Sequence, residues 1–336
     1  VMTYPLLNKD VKRCTMKDAW GRTIEYVRLS LTDACNFCCP YCRPAEITPQ
    51  SQHQLLSVDE WMTILGAFHQ VGVKAVRLTG GEPLLYPHIE ELLARIKQTG
   101  WFEDISMTTN GSLLAPRAKK LKELGLNRVN ISLDSLDSDA FALCVGKANQ
   151  LDSVLSGIQS AIDAGFTSVK INTVLSRHWT DDEVHALLTY VETWPVIWRF
   201  IEYMPFQGDA FHGPTFDEWK AQLECVSGGI LTENHGVYGF GPATYYNLPS
   251  GKEIGFIFSM SHSYCDTCNR VRLTSDGQMR LCLLRDDEAD LVSLVRRGLS
   301  EIELACHIEW ALQRKQERHD GVTMDQPERP MWRIGG

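Results

Sequence analysis

The sequence predicts an α/β protein: a parallel sheet with crossover helices, followed by a smaller and more irregular α+β unit. Three observations carry this. Six short runs rich in β-branched and aromatic residues alternate with amphipathic stretches from Tyr26 to about Met204. The alternation stops at Pro205. Beyond that proline the chain is first β-rich with frequent turn residues and then helical.

The strands fall at residues 26–31, 75–79, 104–109, 128–133, 168–174 and 198–203. Between the first two, Ser57 with Glu60 three residues on forms a capping box that opens a helix over 61–71. Further helices are expected at 88–98, 115–124, 151–164 and 181–191. Six βα units in series require a parallel sheet, which an open barrel and a doubly wound sheet satisfy equally, and six are too few to close an eight-stranded barrel. Gly, Pro and His crowd residues 206–215, which read as a linker, so the expected domains are 1–215 and 216–336. Residues 237–280 read as strands with turns at Leu248-Pro-Ser-Gly251 and Ser275-Asp-Gly277. Helices are expected at 288–297 and 299–314, and a polar stretch from 316 ends in Trp-Arg-Ile-Gly-Gly.

At 336 residues the chain is long for one minimal core and short for three. With 44% hydrophobic and 22% charged residues the composition is that of a globular protein. The net charge of -9 argues against a general nucleic-acid binder, which needs a basic surface, and leaves room for a small anionic ligand held by a local cluster of cations. Pro5, Lys9, Asp10, Lys12 and Arg13 interrupt the first residues, so no signal peptide is read there, and no stretch approaches the ~18 apolar residues of a membrane span. The expectation is a cytoplasmic chain with neither nucleic acid nor membrane as partner.

Eleven cysteines are many for a reducing compartment, where clustered thiols mean metal or catalysis more often than disulfides. Cys35, Cys39 and Cys42 follow the first strand at its C-terminal end, where parallel α/β sheets place their chemistry. Three thiolates at this spacing can hold three irons of a [4Fe–4S] cluster and leave the fourth open to a chelating amine and carboxylate. The same run spells two Cys-x-x-Cys pairs through Cys38, so zinc and a redox pair stand as alternatives, with Cys38 read as a spectator. Cys265, Cys268 and Cys282 form a second set, read either as another cluster with an open iron or as a zinc site completed by His262. Arg270 and Arg272, two apart in an extended segment, share one face, and their forked guanidinium groups suit phosphate. Arg28, Arg77, Lys170 and Arg199 stand at strand positions where an unpaired cation is costly. Separate salt bridges explain each singly; jointly facing one lumen they describe a polyanion pocket that suits a triphosphate.

The run Cys35-Asn-Phe-Cys-Cys-Pro-Tyr-Cys42, with Leu78-Thr-Gly-Gly-Glu-Pro83, resembles the radical S-adenosylmethionine (SAM) superfamily. Within it the chain resembles the GTP 3',8-cyclases of molybdenum cofactor biosynthesis over nearly its whole length, through Tyr26-Val-Arg-Leu-Ser, Thr108-Thr-Asn-Gly, Val129-Asn-Ile-Ser-Leu-Asp, Val169-Lys-Ile-Asn, Arg199-Phe-Ile-Glu-Tyr-Met-Pro and Gly335-Gly336. The resemblance implies a partial (β/α)6 TIM-type barrel and a smaller C-terminal α+β domain carrying a second Fe–S cluster. It implies two [4Fe–4S] clusters, one on Cys35, Cys39 and Cys42 that binds SAM and one on Cys265, Cys268 and Cys282 that binds substrate. It places Tyr41, Gly81, Glu82, Ser132 and Met204 on SAM, and Arg28, Arg77, Thr108, Lys170, Arg199, Arg270, Val271 and Arg272 on GTP. It brings Gly335, Gly336 and Arg333 into catalysis, assisting SAM cleavage. The implied reaction uses a 5'-deoxyadenosyl radical, which takes hydrogen from the ribose 3' carbon of GTP, to make 3',8-cyclo-7,8-dihydro-GTP. The implied partners are a reductant such as flavodoxin and the downstream cyclic pyranopterin monophosphate synthase, and a homodimer is left open. The chain departs from the family pattern at Ala75, where a lysine is usual and Lys74 points to the other face, at Tyr86-Pro87, where a basic pair is usual, and at Cys38, where arginine is usual. These departures bear on triphosphate affinity and cluster ligation. Two other readings stand beside this one: a radical SAM enzyme acting on a peptide, and a zinc-stabilised binding module without catalysis.

Overall fold

The computed structural model describes residues 16–43, 55–205, 213–236, 238–319 and 329–335. All six expected strands form: β1 (Tyr26–Ser30), β2 (Ala75–Thr79), β3 (Asp104–Thr109), β4 (Arg128–Ser132), β5 (Ser168–Val174) and β6 (Ile197–Ile201). They run parallel, side by side in chain order. A doubly wound sheet reverses its strand order at a switch point, and β1 to β6 show no reversal, which decides for the open barrel.

The crossover helices are α1 (Val58–Gln70), α2 (Ile89–Thr99), α3 (Ala118–Glu123), α4 (Ser138–Val145), α5 (Leu151–Asp163) and α6 (Asp181–Thr193). Ser57 and Glu60 cap α1 reciprocally, as the spacing required. The unexpected α4 is short and capped by Asp137, whose side chain accepts from the Ala140 N–H. Along each strand the two faces differ sharply. Val27, Leu29, Val76, Leu78, Ile131 and Phe200 point to the helices and are fully buried in the apolar core. The intervening positions, Arg28, Arg77, Thr108, Asn130, Asn172 and Arg199 among them, turn to the concave side.

After α7 (Phe216–Ser227) come β7 (Thr232–Asn234), β8 (Thr244–Asn247), β9 (Glu253–Ile257), β10 (Arg270–Leu273), β11 (Gln278–Arg280), β12 (Glu288–Asp290), α8 (Leu291–Arg296), α9 (Glu301–Leu312) and α10 (Met331–Ile334). These strands join the barrel sheet at both of its edges. β9 pairs parallel with β6 and β10 parallel with β1, giving one sheet of order β12-β11-β10-β1-β2-β3-β4-β5-β6-β9-β8-β7. The helix expected from 288 starts at Leu291, because residues 288–290 pair with β11 instead. Of the expected linker only residues 213–215 are described, and Thr215 there is the N-cap of α7.

Candidate active site

Register brings three arginines into one row: Arg272 on β10 stands opposite Arg28 on β1, which stands opposite Arg77 on β2. They line one cavity on the concave face with Arg199, Arg270 and Thr108. Burial first, then Arg272, Arg77 and Arg270, pulls the pKa of Arg28 well below the ordinary arginine value. Burial, with Arg270 adding to it, brings Arg272 down to about 10, and burial, with Arg77 adding to it, brings Arg199 down to about 10. The described partners of Arg77 and Arg199 are neutral: Arg77 Nε donates to Ser106 Oγ at 3.2 Å, and Arg199 Nη2 to Asn130 Oδ1 at 2.7 Å and Asn172 Oδ1 at 2.6 Å. Among the described residues Arg77, Arg199 and Arg272 form none of the separate salt bridges that the strand positions allowed. Arg270 lies over the Tyr264 ring at 4.6 Å, and although burial lowers its pKa, Tyr264 and Cys268 raise it overall.

Lys170 is buried but lies beneath this cavity rather than on its lining. Its Nζ donates to the Tyr238 carbonyl at 2.6 Å and the Tyr245 hydroxyl at 3.1 Å, between the two rings. The Tyr238 carbonyl also accepts from Arg128 Nη1 at 2.8 Å, while Gly241 and Pro242 further along the same loop line the cavity. Burial first, then Arg199, Arg128 and Arg77, pushes the Lys170 pKa down to about 6. The alternation that faces Arg270 and Arg272 to the lumen turns the Val271 side chain into the helix-side core, which leaves only its backbone near the lumen.

Cys35, Cys39 and Cys42 line the same cavity as free thiols. Burial raises all three: Cys35 upward, Cys39 well above the thiol range with Asp134 and Cys42 adding, and Cys42 to about 12 with Cys35 adding. Thiolates that crowd and repel one another in a dry pocket suit a group that supplies positive charge to all of them, as an iron–sulfur cluster does. Cys38 stands apart, its Sγ directed to the Arg43 carbonyl at 3.7 Å, consistent with a spectator. Tyr41 donates to Asp134 Oδ2 at 2.7 Å, and Asp134 Oδ1 accepts from the Val174 N–H at 2.8 Å, tying the cysteine loop to β5. Gly81 packs so closely that a Cβ there would lie 2.5 Å from the Ala34 carbonyl oxygen. Ser132 and Met204 line the cavity; Glu82 sits behind it, fully buried, accepting from Leu84 N, Thr109 Oγ1 and Asn110 N, and burial raises its pKa to about 7.

Cys265, Cys268 and Cys282 are free, half-buried thiols in the opposite electrostatic setting. Burial raises Cys268, but Lys315 and Arg270 outweigh it and the net pKa is lowered. At Cys265 hydrogen bonds from His319 and Ser263 overcome burial and bring the pKa to about 6. A pocket that stabilises thiolates suits electron-poor metal. His262, expected as a fourth zinc ligand, packs on Phe216 with ring centroids 4.7 Å apart; His319, which sequence reasoning missed, is the histidine at Cys265. Among the described residues no three His, Cys, Asp or Glu side chains close around a single ion, as a preformed zinc site would.

Gly335 reaches the lumen: its carbonyl accepts from Arg272 Nη1, its φ is 77°, and a Cβ there would lie 2.5 Å from Thr79 Oγ1. Arg333 lies against the Trp332 ring at 5.7 Å and off the cavity lining, and Gly336 is outside the described residues.

A partial parallel barrel with a thiol triad at the end of its first strand and a glycine loop after its second defines the radical SAM class. Residues 29–191 match the Radical SAM superfamily and residues 196–321 match Molybdenum Cofactor Synthesis C. The GTP 3',8-cyclase of Pelotomaculum thermopropionicum is 40% identical over 326 residues, covering 96% of this chain and 100% of that protein. That of Trichodesmium erythraeum is 42% identical, covering 94% and 99%. Streptococcus suis SuiB bound to S-adenosylmethionine superimposes with a TM-score of 0.60 at 15% identity, covering 80% of this chain; this chain spans 64% of SuiB, and the likeness concerns the fold. This chain belongs to the GTP 3',8-cyclase family. Among its described residues no helix is long and apolar enough to cross a membrane.

Proposed function

We propose that the lumen is where this radical SAM cyclase converts GTP to 3',8-cyclo-7,8-dihydro-GTP in the first step of molybdenum cofactor biosynthesis. The observation that carries the reading is the row Arg272–Arg28–Arg77, three guanidinium groups in register on the cavity wall. Such a row is complementary to a triphosphate, which forked guanidinium groups bind in bidentate fashion. The cofactors, two [4Fe–4S] clusters and SAM, supply the hydrogen-abstracting 5'-deoxyadenosyl radical when bound. Cys35, Cys39 and Cys42 would hold the cluster that takes SAM, beside Tyr41, Gly81, Ser132 and Met204; Cys265, Cys268 and Cys282 would hold the second.

The protein's own part is positioning and exclusion of water. The arginine row anchors the phosphates, Thr108 and Arg199 hold the lumen wall next to them, and Arg270 stands between the second thiol set and the row. Glu82 holds the glycine loop from behind. Gly335 approaches Arg272 from the other side, where any side chain would strike Thr79. A one-electron reductant of the flavodoxin type, delivery of product to cyclic pyranopterin monophosphate synthase, a cytoplasmic location and a homodimer belong to the same reading. The test is anaerobic incubation of reconstituted protein with dithionite, SAM and GTP. 5'-Deoxyadenosine formed in step with a cyclised nucleotide supports the reading, and cleavage of SAM that ignores GTP defeats it.

A further inference from the structure

The structure assigns to Arg22 the task of positioning the second thiol set, an inference that rests on the reading of that set as a cluster site. Residues 16–24 form a small hairpin closed by the Lys17–Thr23 bridge. Asp18 is buried at its centre, and its Oδ1 accepts from the N–H groups of Trp20 and Arg22, both at 3.0 Å, while its Oδ2 takes Arg22 Nε at 2.5 Å. The guanidinium is thereby fixed in direction and almost closed off from solvent. Its remaining donors reach three backbone carbonyls: Nη1 donates to Cys265 O at 2.8 Å and Glu317 O at 2.6 Å, and Nη2 to Gln316 O at 2.6 Å. One side chain joins segments that lie 243 and 294–295 residues away in the chain.

Both segments shape the thiol set. The Cys265 carbonyl that accepts from Arg22 also accepts from the Cys268 N–H at 3.1 Å. Its two lone pairs are thus committed, and the turn that sets Cys265 against Cys268 is held from outside. The residues flanking Gln316 and Glu317 form the wall around the thiols. Lys315 Nζ donates to the carbonyl of Leu281, next to Cys282, and Lys315 faces Cys268, while His319 hydrogen-bonds Cys265. Arg318 pairs with Asp266 between the two cysteines at 2.7 Å. Trp20 adds an independent tie from the same hairpin, Nε1 to Lys315 O at 3.0 Å, that does not touch Cys265. A forked donor is needed to hold carbonyls on two segments at once; a lysine ammonium keeps the charge but lacks the planar fork.

The test compares wild type, Arg22→Lys and Trp20→Phe as full-length, anaerobically reconstituted proteins. Iron and sulfide are counted, and reduced samples are examined by EPR with SAM and with GTP added separately. Wild type should carry about eight irons per chain, as two four-iron clusters require. Arg22→Lys should fall towards about four, lose the GTP-sensitive signal and keep the SAM-sensitive one, and bind GTP at least tenfold more weakly. Trp20→Phe should keep the full iron content. Full iron and an unaltered GTP-sensitive signal in Arg22→Lys would overturn the inference. So would equal loss of iron in both variants with a lowered melting temperature, since that marks a hairpin that only packs. A wild type with about four irons would instead defeat the two-cluster reading itself.

Discussion

Replacing Lys170 with methionine probes the electrostatics of the lumen at its most strained point. The side chain is 3% exposed, and burial, then Arg199, Arg128 and Arg77, holds its pKa down to about 6 against a weaker pull from Asp104. The Tyr238 carbonyl and Tyr245 hydroxyl around it carry no formal charge to offset this. In the unfolded chain it titrates near 10.4. Between pH 6 and about 10 the unfolded chain therefore binds one more proton here than the folded one, so this group makes stability rise with pH by about 1.4 kcal/mol per pH unit. Below pH 6 both states are protonated and its contribution is flat. From pH 6.5 to 8.5 the gain is about 2.5 kcal/mol, or about 3.5 °C in melting temperature for a chain of this size. Lys170→Met should melt above wild type at pH 6.5, and the gap should close by that amount at pH 8.5, read from anaerobic thermal melts of both proteins at both pH values. Parallel pH dependence in the two proteins refutes the argument. If the triphosphate reaches Lys170 it restores the charge, so calorimetry in buffers of different ionisation enthalpy should show GTP binding taking up close to one proton at pH 7.5 in wild type and none in Lys170→Met.

Gly335→Ala should cut 5'-deoxyadenosine formation at least tenfold while GTP and SAM still bind, because its φ of 77° and a Cβ 2.5 Å from Thr79 Oγ1 exclude a side chain; unchanged turnover shows the close approach is immaterial. Glu82→Gln puts an amide NH2 among three converging donors, costing about 1–3 kcal/mol, and should weaken SAM binding in equilibrium titration, whereas wild-type affinity means the glycine loop holds itself. Arg272→Lys keeps the charge of the row but loses the fork, so the GTP dissociation constant should rise about tenfold with little change in melting temperature; equal binding argues for a diffuse field over bidentate contact.

Local pattern carried the barrel well. β-Branched runs bounded by turn residues located β1 to β6 to within a few residues, and the Ser57–Glu60 box opened α1 where expected. It also held more than was read from it: alternation that faces Arg270 and Arg272 one way places Val271 the other. What escaped depends on distant partners. β12 is three residues, Glu-Ala-Asp, made a strand by pairing with β11. Tyr238, Tyr245, Arg22 and His319 carry no local signature, since each gains its role from contacts across scores of residues of chain. Where β10 pairs was equally silent in its own four residues.

That last pairing determines how the second thiol set is connected to the lumen. Arg28 and Arg77 belong to adjacent βα units and would face one another in the barrel alone, but the third arginine of the row arrives only when β10 docks parallel on β1. The same short strand begins two residues after Cys268. A shift of the second thiol set along the chain direction therefore moves Arg270 and Arg272 against Arg28, and a one-residue slip would turn both into the helix-side core and bring Val271 into the lumen. If the arginine row takes the substrate phosphates as proposed, the parallel register of β10 ties their recognition to the geometry of the second set through a rigid ladder. The hairpin clasp at Arg22, which holds Cys265 just before that strand, lies at the position where such a slip would have to begin.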